Sequence, residues 1–469
     1  MNEQKNDKSI DVSHSKKMMT SYGFGNLIGQ FIEAVFMVLV FFFYEAEIGL
    51  SSTLTALGFI IFAVWNAIND PILGYLTDRP TRFTKKWGRR FPWIIISFIP
   101  WVISFLLVFT PPNVDAQKSP WILFGWLVIT TCAFDFFWSI FIVNILSIFP
   151  DKFREQSERV TASGINVFVG FFGVVFGFLL PPLIIEYGNI QSYSITAIIC
   201  IGISIICLIL MIPGIREDED TIERFLIKST DHEEEKDKFL PTLKQALKQK
   251  NFVVIIVFYL GFMSLTMLVM ASFLYYVRYV LKAEAIAATL IMGMLLIGGI
   301  ISLPFWVKYT QKTGDNKKTS VIGAILMVCF AIPLSIFSDL SLVLITVFLF
   351  GIGLGAYWAM MVPVYSDVID ESVIETGKRQ EALFGGFRFF FGRLAMVIQA
   401  ITLAVVHELT GFSEGASVQS KTAVFGIALH TGIIPAIFMA IGTLIFWKFY
   451  DITPEKSAKI KAQLKEMGI

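Results

Sequence analysis

Ionisable and amide side chains inside apolar stretches are the residues of this chain that can do chemistry. Asp70 lies in Trp65-Asn66-Ala67-Ile68-Asn69-Asp70-Pro71, within the apolar stretch 52–76. A charge near the middle of a bilayer costs about 2.5–3.5 kcal/mol on insertion scales, so such a group faces a partner, an ion or a wet cavity. Asn66 and Asp70 are four residues apart and share one helix face, with Asn69 expected to point elsewhere. A carboxylate with amide oxygens can ligate Na⁺, and a desolvated Asp can carry a proton, so the group Asn66, Asn69 and Asp70 is read as a site for H⁺ or Na⁺. A permanent interhelical tie between Asp70 and Arg393 is the structural alternative. Gln30 and Glu33, three residues apart on the first apolar stretch, share a face, and Asp135 lies alone on the fourth. These three are candidates for holding a polar cargo. Arg388 and Arg393 are about 140° apart around a helix and cannot face the same point. An arginine exposed in a cavity suits a carboxylate, sulfate or phosphate.

The elements that position these groups are membrane spans. The chain of 469 residues is 55% hydrophobic and only 16% charged, with a mean hydropathy of +0.69. A soluble domain cannot hide that much apolar surface. Apolar runs at 22–44, 52–76, 91–110, 120–149, 161–186, 193–213, 252–280, 284–309, 317–337, 340–366, 381–407 and 424–450 predict twelve transmembrane helices. Lys and Arg crowd the segments on the side of the termini, whereas the opposite loops hold only Lys118, Lys282 and Lys421, with Arg278 near a helix end. The positive-inside rule then places both termini in the cytoplasm. The expected organisation is an N-terminal segment 1–21, a six-helix bundle 22–213, a cytoplasmic linker 214–251, a second bundle 252–450 and a tail 451–469. The acidic runs at 217–220 and 233–235 read as solvated linker.

Composition also excludes function classes. A net charge of +1 gives no field that would draw nucleic acid. The four cysteines lie in apolar stretches without metal-ligand spacing and read as buried thiols, and the four histidines are scattered in sequence. Neither a catalytic triad nor a metal cluster is legible, so an enzyme is not expected.

An internal echo supports two related halves. Pro71 to Arg79 followed by Lys85-Lys86-Trp87-Gly88-Arg89-Arg90 resembles Pro304 to Lys308 followed by Thr313-Gly314-Asp315-Asn316-Lys317-Lys318. Each is read as a helix-ending Pro, a polar turn, and Gly with paired bases opening the next helix. Asp78 amid these bases is read as part of a cytoplasmic latch with Arg89 or Arg90.

These pieces resemble the major facilitator superfamily, whose loop motif runs roughly Gly-x-Leu-x-Asp-Arg-x-Gly-Arg-Arg. The resemblance narrows to the glycoside–pentoside–hexuronide:cation symporters through Ser21-Tyr22-Gly23-Phe24-Gly25, Trp65 to Pro71, Gly88 to Ile94, Asp367-Val368-Ile369-Asp370 and Thr376-Gly377-Lys378-Arg379. It implies an all-α fold of two pseudo-symmetric six-helix bundles. It implies a sugar-type cavity lined by spans 1, 2, 4, 5, 10 and 11, with a coupling cation near spans 2 and 4. It implies cavity positions for Trp358 and Arg393, and a cytoplasmic gate drawn from Asp78, Arg89, Arg90, Asp367 and Arg379. Gln30, Asn66, Ile142 and Leu146 stand where the family pattern has carboxylates and a Trp.

The expected function is a cation-coupled symporter of a sugar, glycoside or uronate in the plasma membrane, working as a monomer without a cofactor. A carrier of lysophospholipid-like amphiphiles is the alternative within transport, and a non-transporting membrane sensor the alternative of another class.

Overall fold

A computed structural model describes residues 14–77, 84–218, 246–377 and 381–466, with isolated positions 222 and 243. Among the described residues, twelve helices are long and apolar enough to cross a membrane. They are α1 (Lys16–Glu47), α2 (Ser52–Thr77), α3 (Phe91–Val108), α4 (Pro120–Lys152), α5 (Gln156–Ile184), α6 (Ile190–Ile215), α7 (Lys250–Val280), α8 (Ile286–Thr313), α9 (Asn316–Ser335), α10 (Leu340–Thr376), α11 (Glu381–Thr410) and α12 (Lys421–Phe449). A thirteenth helix, α13 (Pro454–Glu466), is polar and follows the last span. No strand occurs among the described residues. All twelve expected spans are present. Even-numbered crossing brings both chain ends to one face, called here the terminal face; the opposite one is the far face.

Bilayer burial explains this architecture, because every backbone group inside lipid must find its partner within its own helix. Isoleucines 96, 99 and 103 form an exposed stripe on α3, and Ile198, Ile205 and Ile209 do the same on α6. Such stripes are stable only against acyl chains. The protein is therefore a multi-pass membrane protein. In contrast, α1 and α7 have 83% and 67% of their apolar windows buried, which makes them the central helices of their halves.

Within the N-terminal half, α1 packs on α5 and α6, α2 on α4, and α3 on α4; within the C-terminal half, α7 packs on α12, α8 on α10, and α9 on α10. The α8–α10 contact is so close that a Cβ at Gly298 would collide with the Phe348 carbonyl, and one at Gly351 with the Leu295 carbonyl. Small residues drive such approach in membranes, where helices gain little from hydrophobicity. The two halves meet along α2–α11, α1–α7 and α5–α8.

The echo in the sequence extends into backbone geometry. Both α1 and α7 end in a π-helical turn, at Phe43–Glu47 and Tyr276–Val280. Ile48 N bonds Phe43 O and Leu281 N bonds Tyr276 O, each at 2.9 Å. Gly49 follows the first turn with φ +81° and Lys282 the second with φ 53°. The chain interval between these matched positions also separates Pro71 from Pro304. Lys282 thus keeps a left-handed conformation that its counterpart supplies with glycine.

Three readings need correction. Pro71 and Pro304 do not end helices: α2 continues to Thr77 and α8 to Thr313. Proline is tolerated inside membrane helices because neighbours re-satisfy the freed carbonyl. The linker is not wholly solvated, since Glu217 accepts from the backbone N–H groups of Arg90 (2.8 Å) and Phe91 (3.2 Å) and so caps α3. Cys329 is exposed rather than buried, while Cys200 and Cys207 are buried as expected.

Candidate functional site: the seam between the halves

Helix α2 brings two amides to one carboxylate. Asn66 Nδ2 donates to Oδ1 of Asp135 on α4, and Asn69 Nδ2 donates to Oδ2 at 3.2 Å. Asn69 therefore does not point elsewhere; residues three apart on a helix share a face as well as residues four apart. All three residues are buried. The structure thus groups Asp135 with the amides of the expected cation site. The amide oxygen of Asn66, Oδ1, is buried without a hydrogen-bond partner. A buried oxygen lacking a donor beside a carboxylate is the kind of group that ligates a cation. Asp70 lies on α2 one turn beyond Asn66; its side chain is outside the described residues.

On the cargo side, Gln30 and Glu33 are half-buried on α1, and the Gln30 Cβ lies beside Gly173 of α5. Trp358 of α10 reaches the other half: its ring meets Phe171 of α5 edge-on at 6.3 Å. Its neighbour Tyr357 is buried and stacked on Phe262 inside the C-terminal half. Arg393 is half-buried on α11, with Tyr259 of α7 beside both it and Arg388. Arg388 stands over the rings of Tyr259 (5.9 Å) and Tyr365 (5.7 Å).

At the terminal face, Asp78 and Arg379 of the expected gate lie outside the described residues. Arg89 pairs with Asp151 at 3.7 Å, and Arg90 Nη1 donates to Asn144 Oδ1 at 3.3 Å. These partners are within the N-terminal half. Asp367 accepts from Asn316 and from Ser457 of α13, both at 3.0 Å, so its bonds bind the C-terminal half together instead of bridging the halves. Asp451 is the hub of the tail: burial pushes its carboxyl up, but hydrogen bonds from Lys456, Asn251 and Lys250 outweigh this and hold it well below the usual carboxylate range.

The far face carries a dense set of polar contacts between halves that sequence reading missed. Arg278 of α7 donates to Glu47 of α1 at 2.8 Å, and its guanidinium lies 5.2 Å from the Tyr187 ring. Tyr187 Oη donates to Leu274 O at 3.3 Å. Glu414, in the α11–α12 connection, accepts from Ser52 N and Oγ at the start of α2. Tyr275 Oη donates to Glu45, and His407 Nδ1 lies 2.9 Å from Glu45 Oε1. The histidines scattered in sequence are in part gathered in space, with His407 Nε2 3.0 Å from His430 Nε2. The signal was the placement of Glu45, Arg278 and His407 at span ends, and of His430 in the third turn of α12, all toward the same face. Among the described residues no group of His, Cys, Asp and Glu has the arrangement of a metal site.

The comparisons fit this architecture. The sequence profile of the MFS/sugar transport protein family matches residues 21–454. The chain is 25% identical over 438 residues to sodium-dependent lysophosphatidylcholine symporter 1-A of Danio rerio, covering 86% of this chain and 79% of that one. It is 22% identical over 456 residues to the glucuronide carrier protein homolog of Escherichia coli, covering 96% and 95%. Among solved structures, the nucleoside transporter NupG superposes with a TM-score of 0.61 at 10% identity, covering 93% of this chain and all of that one, which speaks for the fold alone. A profile match over nearly the whole chain, on twelve spans in two related halves, settles the kinship: the chain belongs to the MFS/sugar transport protein family, among the glycoside–pentoside–hexuronide:cation symporters of the major facilitator superfamily.

Proposed function

We propose that the protein is a cation-coupled secondary transporter, not an enzyme, that carries a sugar, glycoside or uronate by alternating access. Its two halves rock about a midplane site, and the far-face contacts between α1, α7 and α11 form one of its two gates. The termini are cytoplasmic in this reading, because the Lys and Arg excess lies on their side.

One observation carries the coupling: the buried Asp135 carboxylate is gripped by Asn66 and Asn69, with Asn66 Oδ1 left without a donor. A proton or Na⁺ bound there, with Asp70 one turn away, neutralises charge that would otherwise oppose moving the site past apolar walls. Gln30, Glu33 and Trp358 would meet the cargo, and Arg393 favours one bearing a carboxylate or another anionic group. The protein works as a monomer in this account.

A second reading has its own support. Phe168, Phe172 and Phe176 form an exposed aromatic stripe on α5, and Ile297, Ile301 and Phe305 an apolar stripe on α8, the helix it packs against across the seam. A lipid-tailed cargo could enter along such a lateral face, and one relative is named as a lysophosphatidylcholine symporter.

Thermal stabilisation of the purified protein separates the readings. The sugar-type reading expects a uronate or glycoside to raise Tm, more so with Na⁺ or at lower pH, while lysophosphatidylcholine leaves it unchanged. Stabilisation by the lysolipid alone reverses the order of the two. Stabilisation by neither class, with or without the cation, contradicts both.

A further inference from the structure

Glu45, Tyr275, His407, His430 and Ser272 form a continuous chain where α1, α7, α11 and α12 meet near the far face. All five residues are wholly enclosed, at 0% exposure. Tyr275 Oη donates to Glu45 Oε2, and Glu45 Oε1 lies 2.9 Å from His407 Nδ1. His407 Nε2 lies 3.0 Å from His430 Nε2, and His430 Nδ1 lies 2.7 Å from Ser272 Oγ. Ser272 Oγ is 2.6 Å from the Leu268 carbonyl. The cation site and cargo site proposed above use none of these groups.

Hydrogen-bond arithmetic limits what this chain can hold. In one arrangement Ser272 donates to Leu268 O and accepts from His430 Nδ1–H. His430 Nε2 then accepts from His407 Nε2–H, and one further proton lies between His407 Nδ1 and Glu45. Every donor and acceptor is matched and the chain carries no net charge. In the other arrangement every bond from His407 to Ser272 is reversed: Ser272 donates to His430 Nδ1, His430 Nε2–H donates to His407 Nε2, and His407 Nδ1–H donates to the Glu45 carboxylate. This arrangement is also matched, but holds one proton fewer and a net charge of −1. Two imidazolium rings would set N–H against N–H, so a second proton has no place.

Among the described residues the surroundings supply no spare cation. Arg278 of α7 is engaged by Glu47 of α1, and these two cancel. The phenols of Tyr187, Tyr193 and Tyr279 are neutral near pH 7. Glu414 is half-exposed and held by Ser52, and Glu408 of α11 and Lys421 of α12 are exposed. A net negative charge in the closed seam is therefore left without compensation.

We propose that Glu45, His407 and His430 form a binding site for a single proton that clamps the far gate shut. Glu45 belongs to the N-terminal half and both histidines to the C-terminal half, so opening this face divides the site. Loaded, the seam is neutral and fully bonded. Unloaded, it opens to rehydrate Glu45. The gating rests on the alternating-access reading; the occupancy by one proton rests on the bonding pattern alone. By linkage, a one-proton site lowers the closed-to-open ratio by at most about tenfold per pH unit as pH rises from the pKa of the divided, open site to that of the assembled, closed one.

Two measurements on the full chain in lipid nanodiscs test this. The first follows ¹⁵N signals of the imidazoles from about pH 5 to 8, the range in which an unperturbed histidine changes charge, with His14 and His232 replaced by Gln. The signals of His407 and His430 are expected to switch together, with uptake of one proton. Separate titrations, or no change, overturn the proposal. The second measures spin-label distances between Asn189→Cys and Val418→Cys across the far face, in a Cys329→Ser background. The distance distribution is expected to shift from closed to open as pH rises, and the Glu45→Gln variant to lose that dependence. A distribution that responds to cargo but not to pH overturns the gating. A distribution fixed under every condition, while the imidazoles still switch together, overturns the gating through failure of the alternating-access reading and leaves the proton site standing.

Discussion

Arg278→Gln is the perturbation whose consequence follows most directly from the far-face geometry. The Arg278 and Glu47 side chains are 9% and 2% exposed and meet at 2.8 Å. Removing one member of a buried ion pair costs about 3–5 kcal/mol, mostly because the other charge is left behind. Glu47 would retain two neutral donors, Gly188 N and Tyr193 Oη, both at 2.9 Å. That places the penalty at the lower end, about 3 kcal/mol. Glu47 and Arg278 come from different halves, so the penalty falls on the closed far face, where Glu47 is dry, and not on the open one, where water reaches it. At about 1.4 kcal/mol per tenfold, the closed-to-open ratio falls by about 100-fold. Ala46→Cys, in a Cys329→Ser background, reports this, because Ala46 is buried in the seam beside the pair. Labelling by a membrane-impermeant maleimide is expected to accelerate by about two orders of magnitude. Adding Glu47→Gln removes the stranded charge and is expected to return the rate to within about tenfold of the starting protein, since a buried pair as a whole contributes little. Unchanged labelling in Arg278→Gln, or a double variant as fast as the single, refutes the reasoning.

Other consequences follow from the same contacts. Asp135→Asn keeps the packing but removes the charge that Asn66 and Asn69 grip, so cation-dependent stabilisation by cargo is expected to vanish in a thermal-shift assay. Glu217→Ala removes the cap of α3 and is expected to cost about 0.5–2 kcal/mol, seen as faster hydrogen exchange of Arg90 and Phe91. Asp451 is held below its unfolded pKa of about 3.9, so the docking of α13 it supports is intact above that pH and is lost as pH falls below it. Lys456, pushed down by burial but raised overall by Asp451 and Glu371, gives support that is complete below its unfolded pKa of about 10.4 and fades as pH rises beyond it. Hydrogen exchange of Pro454–Glu466 against pH checks both limbs.

The spans were legible because lipid imposes one requirement on every crossing, a run of apolar residues with internally satisfied backbone. Pairing among spans was not, because it depends on which helix faces which. His407 and His430 stand on neighbouring helices, and Glu45, which His407 meets, is hundreds of residues away in sequence. Hydropathy gives the depth of these groups and nothing of their azimuth. Asn66 and Asn69 were found, but with Asp70 taken as the centre, Asn69 was turned away from a face that it shares. The prolines at 71 and 304 were read by rules for soluble helices, in which an internal Pro breaks the ladder. The capping of α3 by Glu217 was hidden by the acidic run around it, whose composition reads as linker.

The central claim is that flow of a cation and flow of a cargo are linked through Asn66, Asn69, Asp70 and Asp135. Uptake of a labelled uronate into proteoliposomes under an imposed Na⁺ or H⁺ gradient tests it most directly. The account predicts accumulation above the external concentration under one of these gradients, and its loss in Asp135→Asn. Uptake that only equilibrates, whatever the gradient and in both proteins alike, contradicts it.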